Sequence, residues 1–248
     1  MSLHPDFLRL PIAHRGLHSA GVPENSLAAF TAAIEAGYGI ELDIQPAADG
    51  TPMVFHDYDL LRMSDDEGYI TDMDLDDLAE IRLADTEETI PTLADTLRLV
   101  AGRVPLLIEI KDQDGRLGTS IGEVHNQVAS LLEAYEGPVA VMSFNPNTVE
   151  AFGKAAPDIA RGLTTAAFSK DDWPMLDDET REKLSRIEDF GRAGVSFISH
   201  HQVDLANEAV TDLKSKGVPV LTWTVRSAAE EAEARKVADG ITFEDYRP

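Results

Sequence analysis

The segment IAHRGLHSAGVPENS, Ile12 to Ser26, ends a short apolar run on His14 and Arg15 and then enters a loop holding Pro23, Glu24 and Asn25. An imidazole beside a guanidinium can move a proton and hold an anion. Further along, GIELDIQ sets Glu41 and Asp43 two positions apart. Side chains alternate along a strand, so both carboxylates share a face while Ile40, Leu42 and Ile44 take the other. LLIEIK repeats the device with Glu109 and Lys111, and MVFHD ends another apolar run on His56. Carboxylates on an inward face are costly to bury alone. Glu41, Asp43 and Glu109 on neighbouring strands would form an open cage for one hard divalent cation, Mg²⁺ or Ca²⁺, with water completing its shell. Read pairwise, the same residues give a buried ion-pair network, Glu109 with Lys111 and Glu41 with Arg15. His14, His56, Arg15, Lys111 and a cation suit attack on a phosphodiester. One imidazole takes a proton from a hydroxyl, the other gives one to the leaving oxygen, and the cations offset phosphoryl charge.

Such residues need a scaffold that brings distant strand ends together. Eight apolar runs recur along the chain: LPIAHR, GIELDIQ, LLIEIK, VAVMSF, IARGLTT, VSFISH, PVLTWTV and GITFE. Stretches of helical period separate them. NSLAAFTAAIEAG has Asn25 as cap candidate and Gly37 as its stop; IGEVHNQVASLLEAYEG runs to Gly137. NPNTVEAFGKAAP sets Pro146 at a helix start, while DLANEAVTDLKSKG and SAAEEAEARKVADG open on Asp and Ser and close on Gly. After the second strand, AADGTPMVFHD reads as a hairpin partner turning at Asp49-Gly50. The alternation predicts an α/β protein, a (β/α)8 TIM barrel with a small hairpin insertion after strand 2. A doubly wound sheet would bring a Gly-rich phosphate loop after strand one, and G-x-G-x-x-G is absent. In a barrel the site sits at the C-terminal strand ends, where the residues above fall.

The chain has 248 residues, is 43% hydrophobic, and no linker or low-complexity tract divides it, so residues 1–248 read as one domain. Without cysteine there is no thiolate chemistry and no disulfide framework. Forty-five acidic residues against 21 basic give a net charge of −24, a field that repels nucleic acid and anionic lipid. No apolar stretch is long enough to span a membrane. MSLHPDFLRLPIAHRG lacks a charged start followed by a long apolar region, so a cytoplasmic protein without stable membrane association is expected. Homo-oligomerisation is left open.

The chain resembles the glycerophosphodiester phosphodiesterase family. AHRG, PENS, ELDIQPAADGTPMVFHD, LLRMSDDEGYI, IPTLADTL, LLIEIK and LTWTV occur in that family's order and cover roughly the whole chain, most strongly Ile12 to Lys111. The resemblance implies metal-dependent hydrolysis of glycerophosphodiesters to sn-glycerol 3-phosphate and an alcohol such as choline or ethanolamine, through a cyclic phosphate intermediate made by the glycerol 2-hydroxyl. It implies His14 and His56 as the acid–base pair, and Glu41, Asp43 and Glu109 as metal ligands. Arg15 and Lys111 would contact the phosphate, with Trp223 packing on the glycerol and Phe144 on the same rim. Glu24 and Asn25 match a loop expected to brace His14 or Arg15. Ser26 stands where the family usually has Thr. The segment after His56 is short, so no large capping insertion is expected. Alternatives are a lysophospholipid or other polyol phosphodiester as substrate, or a barrel that binds phosphodiesters without turnover. One of His200 and His201 is expected to face the mouth, Arg226 to sit on the rim and His18 in the first loop. His4 and His125 read as surface residues. SDDEGYITDMDLDDLAE, whose spacing is not that of an EF-hand, reads as a solvated loop and helix start.

Overall fold

A computed structural model describes residues 2–248. Its strands are β1 (Ile12–Ala13), β2 (Gly39–Pro46), β3 (Pro52–Val54), β4 (Leu106–Ile110), β5 (Val139–Ser143), β6 (Ala160–Thr165), β7 (Phe197–His201), β8 (Val220–Val225) and β9 (Gly240–Phe243). Strands β1, β2, β4, β5, β6, β7, β8 and β9 pair in parallel, and the β1–β9 and β1–β2 ladders close them into an eight-stranded barrel. Each of the eight apolar runs contributes one barrel strand. β3 pairs antiparallel with the end of β2, the hairpin insertion, and Gly50 takes the left-handed turn at φ 85°.

The helices are α1 (Asp6–Arg9), α2 (Leu27–Ala36), α3 (Leu75–Glu80), α4 (Leu93–Val100), α5 (Val124–Leu132), α6 (Pro146–Ala155), α7 (Asp178–Ser185), α8 (Glu208–Ser215) and α9 (Ala228–Ala234). Ser26, not Asn25, caps α2: its Oγ accepts from the Ala29 N–H and donates to the Pro23 carbonyl at 2.6 Å. α8 is capped by Asn207 rather than Asp204, and α5 ends at Leu132, short of Gly137. Helices α1, α4 and α7 lie outside the helical stretches that the sequence pattern predicts. In α7, DETREKLS, the polar face dominates, and only Arg181 and Leu184 are buried.

Alternation divides the strands cleanly. Ile40, Leu42, Ile44, Leu106, Ile108 and Ile110 face outward into one core with helical residues such as Phe30, Leu97 and Val128. Inward-facing Ile12, Leu107, Ala140, Ala160, Phe197 and Leu221 fill the lower barrel, closed from below by Leu3 and Phe7 of the N-terminal segment. Two interior glycines follow from this packing. A Cβ on Gly240 would lie 2.5 Å from the Phe7 carbonyl oxygen, and one on Gly162 would lie 2.4 Å from the Phe197 ring. One layer higher the interior turns polar, and that change defines the site. The stretch between β3 and α4 carries more than a solvated loop: Phe55, Leu60, Met63, Ile70, Leu78, Ile81 and Leu83 form a second small core with Met53. Among the described residues no helix is long and apolar enough to cross a membrane.

Candidate active site

At the C-terminal end of the barrel a cavity of about 280 Å³ is lined by His14, Arg15, Glu41, Asp43, His56, Glu109, Lys111, Phe144, His201, Trp223 and Arg226, among others. Barrel ladders place most of them. The His14 N–H donates to the Phe243 carbonyl, continuing β1, and the Lys111 N–H donates to the Ile44 carbonyl, continuing β4. In the β2–β4 register Asp43 lies opposite Glu109. The hairpin returns His56 to the same mouth, where Gln45 Nε2 donates to the His56 and Asp57 carbonyls, both at 3.4 Å.

Glu41, Asp43 and Glu109, all buried, each bring a carboxylate oxygen to within 4.8 Å of the others. Burial raises the proton affinity of Glu41 well above the usual carboxylate range, and the charges of Asp43 and Glu109 add to it. Burial also opposes ionisation of Asp43, but Lys111, His56 and Arg15 around it hold its carboxyl far below the ordinary range. Lys111 Nζ donates to Glu109 at 2.7 Å and sits 2.9 Å from Asp43. Burial works against its ammonium form, yet the two carboxylates win and raise its proton affinity.

The Glu41–Arg15 pair suggested by the sequence does not form between side chains. Arg15 has φ 54°, which turns its backbone N–H to Glu41 at 3.1 Å while its guanidinium reaches Glu24 at 2.7 Å and Asp43 at 3.3 Å. Among the described residues Glu41 thereby has no lysine or arginine side chain in an ion pair with it. Three buried hard-oxygen donors, crowded enough that burial and mutual charge raise the proton affinity of Glu41, fit a divalent cation.

His14 and His56 each have a carboxylate on Nδ1. His14 Nδ1 lies 2.6 Å from Glu244 Oε2, and its Nε2 lies 4.0 Å from Glu41. Burial lowers the proton affinity of His14, the Glu244 contact opposing it only in part. The same contact depresses the Glu244 carboxyl to about 2. His56 Nδ1 lies 2.6 Å from Asp57, which is also held by Arg62. Arg62 in turn grips both oxygens of Glu24, at 2.7 and 3.0 Å, so one chain of charges runs Arg15–Glu24–Arg62–Asp57–His56. Asn25, at φ 54°, donates to Asp43 at 3.0 Å. Glu24 and Asn25 thus both touch the polar cluster, Glu24 through Arg15 and Asn25 through Asp43.

Trp223 stacks on His201 with centroids 4.7 Å apart and meets Phe144 edge-on at 5.4 Å. His200 points away from the mouth, buried against Thr165 at 2.8 Å and Asp204 at 3.2 Å. His18 lines a neighbouring cavity beyond Glu244. His4 is exposed, but His125 is buried in α5, because the hydrophobic face of that helix carries it inward. Glu244, Asp57 and Arg62 were not singled out in the sequence. Glu244 ends the GITFE run and was open to the same strand-end reasoning, whereas Arg62 lies in a loop whose course no local pattern dictates.

Comparison with known proteins places this geometry. Residues 14–245 match the model of the Glycerophosphoryl diester phosphodiesterase family. The chain is 30% identical over 246 residues to a glycerophosphodiester phosphodiesterase of Caldanaerobacter subterraneus subsp. tengcongensis, covering 95% of this chain and 94% of that one. It is similar in structure to an Oleispira antarctica phosphodiesterase solved with the product sn-glycerol-3-phosphate, with a TM-score of 0.77, 26% identity and coverage of 96% and 94%. A glycerophosphodiester phosphodiesterase from Thermotoga maritima shares the fold at a TM-score of 0.73 and 24% identity, with coverage of 94% and 93%.

Proposed function

The chain belongs to the glycerophosphoryl diester phosphodiesterase family, and from that premise we propose that His14 and His56 carry the hydrolysis of a glycerophosphodiester to sn-glycerol 3-phosphate and an alcohol. The supporting observation is convergence: both imidazoles, each oriented by a carboxylate on Nδ1, open on one cavity with Arg15, Lys111 and the three acids.

His14 is the base of the first step. Its Nδ1–H donates to the Glu244 carboxylate, which leaves the Nε2 lone pair toward the cavity, and burial favours the neutral ring. It takes the proton of the glycerol 2-hydroxyl, whose oxygen attacks phosphorus within the same molecule and gains the proximity of an intramolecular reaction. His56, its ring oriented by Asp57 on Nδ1, gives a proton to the departing alcohol. A cyclic phosphate results. Water opens it with the roles exchanged: His56 takes the proton of the water and His14 returns one to the 2-oxygen. Arg15 and Lys111 contact the phosphoryl oxygens. Glu41, Asp43 and Glu109 would hold Mg²⁺ or Ca²⁺, which supplies Lewis-acid stabilisation of phosphoryl charge when bound.

Release of glycerol phosphate from glycerophosphodiesters, with and without a chelator, tests the reading. Full activity after metal removal would sink the cation site and leave the histidine pair standing. A diester whose glycerol lacks the 2-hydroxyl should resist cleavage; turnover of that compound would eliminate the cyclic route.

A further inference from the structure

A second cavity, of about 650 Å³, opens from the catalytic one and shares His56, Glu109, Lys111, Phe144 and Trp223 with it. It lies on the His56 side and away from His14, Arg15 and Glu41, which do not line it. Tyr58, Leu117, Phe144, Trp173, Met175 and Trp223 give its outer wall a large apolar surface, interrupted by Asp59, Arg62, Asp112 and Asp172. Trp173 is braced by Phe144 and Phe168, both with ring centroids 5.1 Å away. Leu117 in this wall and Phe168 packed behind it have φ 54° and 50°, a left-handed conformation unfavourable for bulky residues that the surrounding contacts must impose. The loop carrying Leu117 is pinned: Asp112 accepts from the Leu117 N–H at 3.0 Å and from Asn145 Nδ2 at 2.7 Å, and the Asp112 carbonyl accepts from the Tyr58 hydroxyl at 2.9 Å.

At the lip, Met175 is 65% exposed and Tyr58 46% exposed. Large apolar side chains left in water beside a catalytic centre mark a surface that a ligand covers. The acids on this wall already accept hydrogen bonds: Asp57 from Arg62, Asp59 from the Leu61 N–H, Asp112 from the Leu117 N–H and Asn145, and Asp172 from Ser169.

We propose that this cavity receives the departing alcohol and selects one with a hydrocarbon body, an alkyl or aryl alcohol, over a polyol. The inference rests on the assignment of His56 as the acid that protonates the leaving oxygen, because that assignment puts the alcohol on the His56 side. Trp173 and Met175 are the specificity-determining residues. The chemistry at phosphorus is unchanged: the P–O bond to the alcohol breaks, the 2-hydroxyl oxygen takes its place, and His56 supplies the alcohol proton.

The experiment is a homologous series of glycerophospho-n-alkanols, ethyl to hexyl, set against glycerophosphoglycerol, with the Mg²⁺-supplemented full chain and glycerol phosphate release as readout. Full burial of one methylene is worth about fourfold in a binding constant, so an open cavity should raise kcat/KM about threefold per methylene. Trp173→Ala should flatten that slope to about 1.5-fold, and Met175→Ser, altering a residue already in water, should lower it without endangering the fold. A slope of one in the unaltered protein overturns the inference. So does a choline diester that outruns its neutral 3,3-dimethylbutyl isostere more than tenfold, since the wall would then read charge. A gain produced by an alkyl group on the glycerol instead of on the alcohol overturns the placement. Absence of glycerol phosphate from every diester would instead defeat the parent hydrolytic reading, an outcome separate from a flat series.

Discussion

The two sides of the catalytic cavity are built from different material. On the polar side, His14, Glu41, Asp43, Glu109, Lys111 and Glu244 stand on or immediately after barrel strands and remain in the backbone ladder. On the apolar side, Leu117, Phe168, Trp173 and Met175 stand on loops, held by side-chain packing and a few hydrogen bonds. The histidines divide likewise: His14 follows β1 with its side chain 13% exposed, and His56 follows the hairpin at 30%. A closed parallel ladder fixes a side chain through its neighbours on both flanks, which is what groups sharing a proton or a cation need. Loops can vary without disturbing that ladder, so they are where substrate choice can be set.

Breaking the strand side should cost most. Lys111→Met leaves Asp43 and Glu109 without the ammonium now 2.9 and 2.7 Å away. Removing one partner of such a buried cluster costs about 3–5 kcal/mol, to be read by denaturant unfolding in chelator. Adding Mg²⁺ or Ca²⁺ should recover part of the loss, and a variant as stable as the parent in chelator would contradict the packing.

Next in size come the two imidazoles. His14→Ala and His56→Ala should each lower kcat by at least ~10²-fold, the low end for general acid–base catalysis. Near-full activity in either would remove that residue from the mechanism.

Glu244→Gln sharpens the comparison at the strand-held histidine. It keeps the shape of the contact but loses the charge, and a roughly tenfold fall in kcat is expected, at the margin of what one charge-assisted hydrogen bond supplies. Its effect on stability has a sign. The carboxyl is depressed in the folded state from 4.5 to about 2, so it contributes stability above pH 4.5 that is lost as pH falls toward 2. The stability difference between Glu244→Gln and the parent should therefore shrink from pH 6 to pH 3; a difference constant over that range would contradict the pairing.

The smallest effect is expected at the loop-held histidine. Arg62 is 46% exposed at its side chain, so its ion pairs with Glu24 and Asp57 contribute little to stability. Arg62→Met should shift unfolding by less than ~1 kcal/mol while lowering kcat a few-fold through a loosened Asp57. An unchanged kcat would make the Arg15–Glu24–Arg62–Asp57–His56 chain ornamental.

Much of the fold was legible because its signals are local. Period-two alternation in GIELDIQ and LLIEIK already separated the helix-facing Ile and Leu from the inward acids, and Gly37 and Pro146 punctuated helices where they stand. The cap of α2 was misread by one residue because Asn25 and Ser26 are both good caps; Asn25 instead spends its amide on Asp43, a partner 18 residues away. Glu244 ends its run as the other acids do, and strand-end reasoning points to it, but its partner His14, 230 residues away, is set only where β9 meets β1. The apolar wall was the least legible: Phe144 was placed on the rim, but nothing in the local pattern around Trp173 or Met175 distinguishes a substrate lip from a surface loop.

The order of residues by itself determined that eight strands would form, which face of each is polar, and that imidazoles, acids and cations would collect at one end, because alternation and turn chemistry act over a few residues. Only closure of the barrel decided which of those groups touch. Pairing β1 with both β2 and β9 joins the two ends of the chain, and contacts across such distances depend on how whole layers pack rather than on any short stretch.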